Sequence, residues 1–299
     1  MDDTPDSSKG VTLNANNDAT VGGDVVGHDK VVHITQNYYQ AQDSVANSQA
    51  YALTVSATTP GLILFLMDGG FHTNKVINDR PAYEIITEAL HAALQTLTQR
   101  STRGSQVVRR YYIGCYRYSL TFEDILGGLK SITEVAQQPL PILRSSNDSS
   151  DTFGAFVKIE GVLRREISRF QNCPAPLVCH ITAGEYLCPD PKPIVDRIKA
   201  LQVRDGPVLV ENVLIDDEAL LMPAGKPHHW TGVHDSSDLS NAFARQLFDM
   251  SSHLPEQYRQ YASEIGYNLG PGTRMLYPGT RPEIVNLGLG LVAASTISR

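Results

Sequence analysis

The segment Gly61-Leu-Ile-Leu-Phe-Leu-Met-Asp68 constrains this chain more than any other: an unbroken apolar row closed by a carboxylate. A strand with one wet face alternates apolar and polar residues. A strand without alternation is covered on both faces, as in the middle of a parallel sheet. The row Leu62–Met67 is also the longest apolar run near the middle of the chain, and a bilayer span takes about 20 such residues. Helices must therefore cover both faces of this strand, and the following sequence supplies them. Pro81 is placed to open a helix, and Ala82, Ile85, Ile86, Ala89, Leu90, Ala93, Leu94 and Leu97 recur at helical spacing, predicting a helix over 81–99.

Val107–Tyr118 alternates and is rich in aromatic and β-branched residues, which predicts a strand, with Leu120–Gly128 as a short hairpin partner. Ser149–Phe170 carries a second helical stripe: Phe153, Phe156, Ile159, Leu163, Ile167 and Phe170. Ala175–Thr182 and Pro207–Ile215 are further apolar strands, with a helix at Pro193–Leu201 between them. Strands alternating with helices predict an α/β fold built on a doubly wound, mostly parallel sheet. Past Asp217, helical segments near Asp238–Met250 and Pro255–Gly266, a Gly/Pro-rich stretch (Leu269–Gly279) and a last helix opened by Pro282 suggest a helical C-terminal extension over 221–299, packed on a core domain at 56–220.

Residues 1–55 differ in composition, being rich in Asn, Asp, Ser, Thr and Gln, and are expected to form a flexible polar tail. Within it, Gly-Asp-Val-Val (23–26) is echoed by His-Asp-Lys-Val-Val (28–32). Either this is a chance repeat in a loose tract, or Val25, Val26, Val31 and Val32 give residues 21–34 a homotypic strand-pairing face.

The chain has 299 residues, 41% hydrophobic and 19% charged, with a net charge of −7. That acidic balance disfavours nucleic acid as a general partner. Four cysteines, Cys115, Cys173, Cys179 and Cys188, are few for the length, and two lie in strand-like runs; a reducing, cytoplasmic setting is expected. Met1–Gly10 carries three aspartates and no apolar core, unlike a secretory signal, and no membrane partner is expected.

In an open α/β sheet, ligands gather where strands end at their carboxyl edge. Three segments fall there: Asp68-Gly-Gly-Phe-His-Thr73, Asn147-Asp-Ser-Ser-Asp-Thr152 and Thr182-Ala-Gly-Glu-Tyr186. They make Phe71, His72, Thr73, Asp148, Asp151, Glu185 and Tyr186 the candidate partner-binding residues. With Asp68 at a strand end, Thr152 opening a helix and the Thr182-x-Gly184-Glu185 turn, the chain resembles the von Willebrand factor A family, in its bacterial intracellular branch. Pro174-Ala-Pro-Leu-Val-Cys-His-Ile-Thr182, Leu209-Val-Glu-Asn-Val213 and Pro278-Gly-Thr…Pro282-Glu-Ile-Val285 add to the likeness.

The resemblance implies a Rossmann-like fold and a metal-ion-dependent adhesion site made of an Asp-x-Ser-x-Ser loop, a distant threonine and a turn aspartate. Magnesium takes hard oxygen ligands in an octahedron and leaves a position for a partner's carboxylate. Here the two loop serines fall on Gly70 and His72, and the turn aspartate falls on Ala183. Only Asp68 and Thr152 keep ligand oxygens, with His72 beside them as a softer donor. The site is therefore expected to be degenerate and to hold no metal or cofactor. A weak Mg²⁺ site and a Zn²⁺ or nickel site built on Asp68, His72 and Glu185 remain as alternatives.

His228-His229-Trp230 with His234 nearby reads as a partner-facing loop, and Cys179 and His180, as strand neighbours, face opposite sides. No Gly-x-Ser-x-Gly elbow and no GKS or GKT phosphate loop occurs. Arg100, Arg103, Arg109 and Arg110 form a local basic patch. The tail motif resembles short Gly-Asp-Val-Val-Gly-x-Asp-Lys segments that precede effector or sensor domains in bacterial conflict and signalling systems. Together these imply a non-catalytic protein-interaction adaptor or scaffold in a bacterial signalling or antiviral defence assembly. A metal-dependent adhesion module and a hydrolase using the Asp68 edge are the alternatives.

Overall fold

The computed structural model describes residues 50–184, 189–216 and 227–293. The valine motif at 21–34, together with Glu185, Tyr186 and Cys188, lies outside the described residues. In chain order the main elements are β1 (Gly61–Asp68), α1 (Ala82–Ser101), β2 (Tyr111–Tyr118), β3 (Phe122–Asp124), β4 (Lys130–Ser131), α2 (Ile132–Val135), α3 (Thr152–Glu166), β5 (Leu177–Thr182), α4 (Lys192–Lys199), β6 (Leu209–Leu214), α5 (Ala242–Met250), α6 (Glu256–Glu264), β7 (Leu276–Pro278) and α7 (Pro282–Ala293).

The strand order is β7-β6-β5-β1-β2-β3, with β4 also paired to β2. From β7 to β2 all pairings are parallel, while β3 and β4 run antiparallel to β2. The apolar row is central as its composition requires: β1 lies between β5 and β2, and all eight of its residues are buried. The chain winds outward from β1 to β2 and β3, then crosses back to β5, β6 and β7. This is a doubly wound, mostly parallel α/β sheet, and its winding reverses between β1 and β5.

Successive strand residues face opposite sides, so β6 reports how the faces are covered. Asn212 bonds to Leu247 and Ser251, the carbonyl and hydroxyl at the end of α5. Its neighbour Glu211 points the other way, towards Gly288 of α7. Helix α7 packs against α1 on that face, while α3, α4 and α5 pack in sequence on the other. Phe65, Leu66, Ile86, Leu90, Phe156, Ile159, Leu247 and Ile284 are fully buried between the layers, each large side chain contributing about 1.5–3 kcal/mol by leaving water. Cys115, Cys173 and Cys179 are buried free thiols.

Two local differences from the sequence expectation, and one helix start, have clear causes. The strand expected from Val107 begins at Tyr111, because Thr102–Arg103 and Gln106–Val107 close a small hairpin around Gly104, whose φ of +60° suits glycine. The helical stripe read over Ser149–Phe170 becomes helix at Thr152, the expected opening residue, since the Asp151 side chain accepts the Gly154 N–H and caps it. The Gly/Pro-rich stretch beyond Leu269 contains β7, so the C-terminal region extends the sheet as well as packing on it. Among the described residues, no helix is long and apolar enough to cross a membrane.

Candidate functional site

The carboxyl edge at the winding reversal is built around Asp68. Register sets its neighbours: Asp68 lies level with Tyr118 of β2, and Met67 with Ile181 of β5, which brings Thr182 alongside. The Asp68 side chain is buried. Its Oδ1 accepts the Gly70 N–H at 2.9 Å and the Ser150 hydroxyl at 2.6 Å, and its Oδ2 accepts the Thr182 hydroxyl at 2.8 Å. Hydrogen bonds to a carboxylate are worth roughly 1.5–3 kcal/mol each and offset part of the cost of its burial. The three donors tie the loop after β1, the segment before α3 and the end of β5 to one point.

Thr152 does not join Asp68. Its hydroxyl donates to the Tyr118 hydroxyl at 3.3 Å, Tyr118 donates to His180 Nε2 at 2.8 Å, and His180 Nδ1 donates to Asn212 Oδ1 at 2.8 Å. Asn212 passes its amide hydrogens to Ser251 Oγ and the Leu247 carbonyl, which also accepts from Ser251. Because the Asn212 nitrogen is committed as donor, its oxygen must accept, and this fixes the His180 proton on Nδ1. Burial depresses the His180 pKa to about 4, partly offset by the Asn212 bond and the Asp68 charge, so a neutral imidazole links α3 to α5 across this face of the sheet. Cys179, on the opposite face, is 3.9 Å from Glu211 Oε1, so thiol and imidazole do not meet.

The remaining candidates separate into exposed and buried groups. Phe71 is 45% exposed, and its ring lies 3.9 Å from that of His72. Leu120 (62%) and Val76 (64%) stand in the loops leaving β2 and β1. Asp148 is exposed, and its carbonyl holds the Phe71 N–H. Thr73 corrects the expectation of a partner-facing residue, being fully buried with its hydroxyl donated to the Gly70 carbonyl. Asp151 is exposed but its carboxylate serves as the cap of α3.

Gly70 packs so closely on Ser150 that a Cβ there would overlap the serine oxygen, and Gly184 packs closely, though less so, on the His72 side chain. His228 lies against Tyr267, Trp230 is buried beside Tyr277, and His234 bonds to Thr273, so the C-terminal histidines do not converge. Among the described residues no three His, Cys, Asp or Glu side chains are grouped as a metal cage requires.

Sequence reasoning found Asp68 and its edge but missed Ser150, Tyr118, His180, Thr182 and Asn212 as the groups that satisfy it or stand beside it. Period 2 in β5 placed His180 and Thr182 on one face, which was the available signal.

No protein-family model and no curated protein matches this chain. Among solved structures it is similar to proximal thread matrix protein 1 of the mussel byssus (15% identity, 52% of this chain and 38% of that one, TM-score 0.36). It is also similar to the vWF domain of the type V pili tip protein Mfa5 from Porphyromonas gingivalis (8%, 42% and 38%, 0.33) and to the VWA domain of SpRpn10 (11%, 53% and 76%, 0.37). The match spans well under half the length of the first two.

Proposed function

We propose that this protein is a non-catalytic interaction module of von Willebrand factor A type that engages a protein partner at the carboxyl edge of its sheet without a metal. The observation that carries this reading is the division of labour at that edge. Among the described residues the buried polar groups there are spent inside the fold: Asp68 on three donors, Thr152 and Tyr118 on the chain to His180. What faces solvent is Phe71, His72, Leu120 and Asp148. Exposed aromatic and aliphatic residues with a polar rim are what a protein interface uses, and a hydrolase needs an accessible nucleophile and base.

The donor set does not suit magnesium. Among the described residues it offers one buried carboxylate, both of whose oxygens accept hydrogens from neighbours, and the two hydroxyls nearest it point those hydrogens at the carboxylate rather than presenting lone pairs to an ion. On the resemblance of its tail motif, we further propose a cytoplasmic adaptor or scaffold in a bacterial signalling or defence assembly, with residues 21–34 as a self-pairing element.

The test is capture of interacting proteins by the full chain, with and without EDTA, beside Phe71→Asp. Capture that survives EDTA and is lost in Phe71→Asp supports the reading. Capture abolished by EDTA and restored by Mg²⁺ would replace it with metal-bridged adhesion.

A further inference from the structure

We infer that the opposite, amino edge of the sheet holds a second site, a small cleft for an organic phosphate. The three segments that lead into the three central strands β1, β2 and β5 meet there. They enclose a cleft of about 230 Å³ lined by Thr58, Pro60, Arg109, Tyr112, Arg169 and Phe170, with the buried Cys173 at its wall. This volume holds a phosphate together with a small organic body and is well below that of drug-sized pockets, about 300–1,000 Å³.

The charged side chains of the cleft are both cationic, on a chain whose net charge is −7. Both guanidinium carbons lie over one aromatic ring, Arg109 at 5.9 Å and Arg169 at 5.6 Å from the centre of Tyr112. Arg169 also reaches the ring of Phe170, which meets Tyr112 edge to face at 5.6 Å. Contact with a ring face orients a guanidinium while leaving its N–H edge open. Arg109 has no hydrogen-bond or ion-pair partner among the described residues. Among the described residues Arg169 pairs with Glu166 alone, on its own surface turn, and an exposed pair of that kind is worth about 0–1 kcal/mol.

Two forks approaching from the separate segments that lead into β2 and β5 match the tetrahedral oxygens and double charge of a phosphomonoester better than a planar carboxylate. The floor of Tyr112, Phe170 and Pro60 is suited to the apolar part of the molecule. The neighbouring cleft beyond residues 55–58 is lined by Arg103 and Arg110, which extends the positive field around the entrance. The inference stands independently of the carboxyl-edge reading, since no residue is shared.

The experiment is a calorimetric titration of the full chain with phenyl phosphate, glycerol phosphate and inorganic phosphate. Saturable binding is expected for all three, tightest for phenyl phosphate. Arg109→Gln and Arg169→Gln should each weaken it about tenfold or more, while the melting temperature stays unchanged because both side chains are exposed. Tyr112→Leu should weaken phenyl phosphate more than inorganic phosphate. Bound phenyl phosphate should also slow alkylation of Cys173. Absence of saturable binding, or binding indifferent to both arginine variants, would overturn the proposal. So would a single-stranded oligonucleotide that binds more tightly than phenyl phosphate and is weakened equally by Arg103→Gln, since that assigns the edge to a polymer.

Discussion

Replacing Glu211 with glutamine should make the protein more resistant to alkaline destabilisation, and the pH dependence should identify the cause. Glu211 is fully buried in β6, on the face covered by α7, where Gly288 packs against it. One oxygen takes the long contact from the Cys179 thiol and the other has no hydrogen-bond partner. The Tyr277 hydroxyl nearby is also unpaired. Among the described residues no cation compensates a charge there, and burial raises the Glu211 pKa from 4.5 to about 8. Below pH 4.5 the carboxyl is protonated in folded and unfolded chains alike and costs nothing electrostatically. As pH climbs from 4.5 to about 8 the unfolded chain releases the proton while the folded chain keeps it, so stability falls by up to about 1.4 kcal/mol per pH unit. Above about 8 the folded carboxyl ionises too and the loss levels off. Over the whole window the loss is at most about 5 kcal/mol, an upper bound because local opening of α7 would hydrate the charge first. Urea unfolding at pH 5, 6, 7 and 8 should show wild-type stability falling relative to Glu211→Gln, with the two nearly equal at pH 5. Parallel curves, or a variant less stable at pH 8 than the wild type, would refute the argument.

Thr182→Val should cost roughly 1–3 kcal/mol in urea unfolding, because Asp68 Oδ2 loses its donor while remaining buried. Gly70→Ser should destabilise by about 1–3 kcal/mol through overlap with Ser150, and calorimetry should detect no gain in Mg²⁺ affinity from it alone. On the acid side, His180 stays neutral in the folded protein down to about pH 4. Stability should therefore fall as pH drops from 6.5 towards 4, a limb that His180→Gln should flatten in the same unfolding series. Deleting residues 1–49 should leave the melting temperature nearly unchanged and reduce self-association in sedimentation experiments, and serine at Val25, Val26, Val31 and Val32 should reproduce the effect.

Where local pattern decides structure, the sequence was readable. The unbroken apolar row of β1 pointed to a doubly covered strand, and the stripes of α1 and α3 to amphipathic helices, as the structure has them. β7 escaped because three residues in a Gly/Pro-rich stretch carry no period; Leu276–Pro278 is a strand only through pairing with Asn212–Leu214, more than sixty residues earlier. The carboxyl edge was legible as a place and Asp68 as its centre. Which hydroxyls reach Asp68 was not legible, since Ser150 and Thr152 differ by two positions at the start of one helix and only the packed backbone sends the first to Asp68 and the second to Tyr118. The His180 chain was hidden for the same reason: its links come from β2, α3, β5, β6 and the end of α5.

The late arrival of β7 has a consequence in time. During synthesis β6 is complete at Leu214, and its outer edge beyond Val210, which Ser252 meets, stays unpaired until Leu276–Pro278 has been made. At roughly 5–20 residues per second that gap of about sixty residues lasts about 3–12 s. An unpaired apolar edge on a nascent chain is a template for pairing with another chain, and a charge set within the strand is a known deterrent. For that interval Glu211 is uncovered by α7, still hydrated and ionised at neutral pH, in the middle of Leu-Val-Glu-Asn-Val-Leu. The carboxyl that later weighs against the finished fold is, while the ribosome is still at work, a charge that disfavours such pairing.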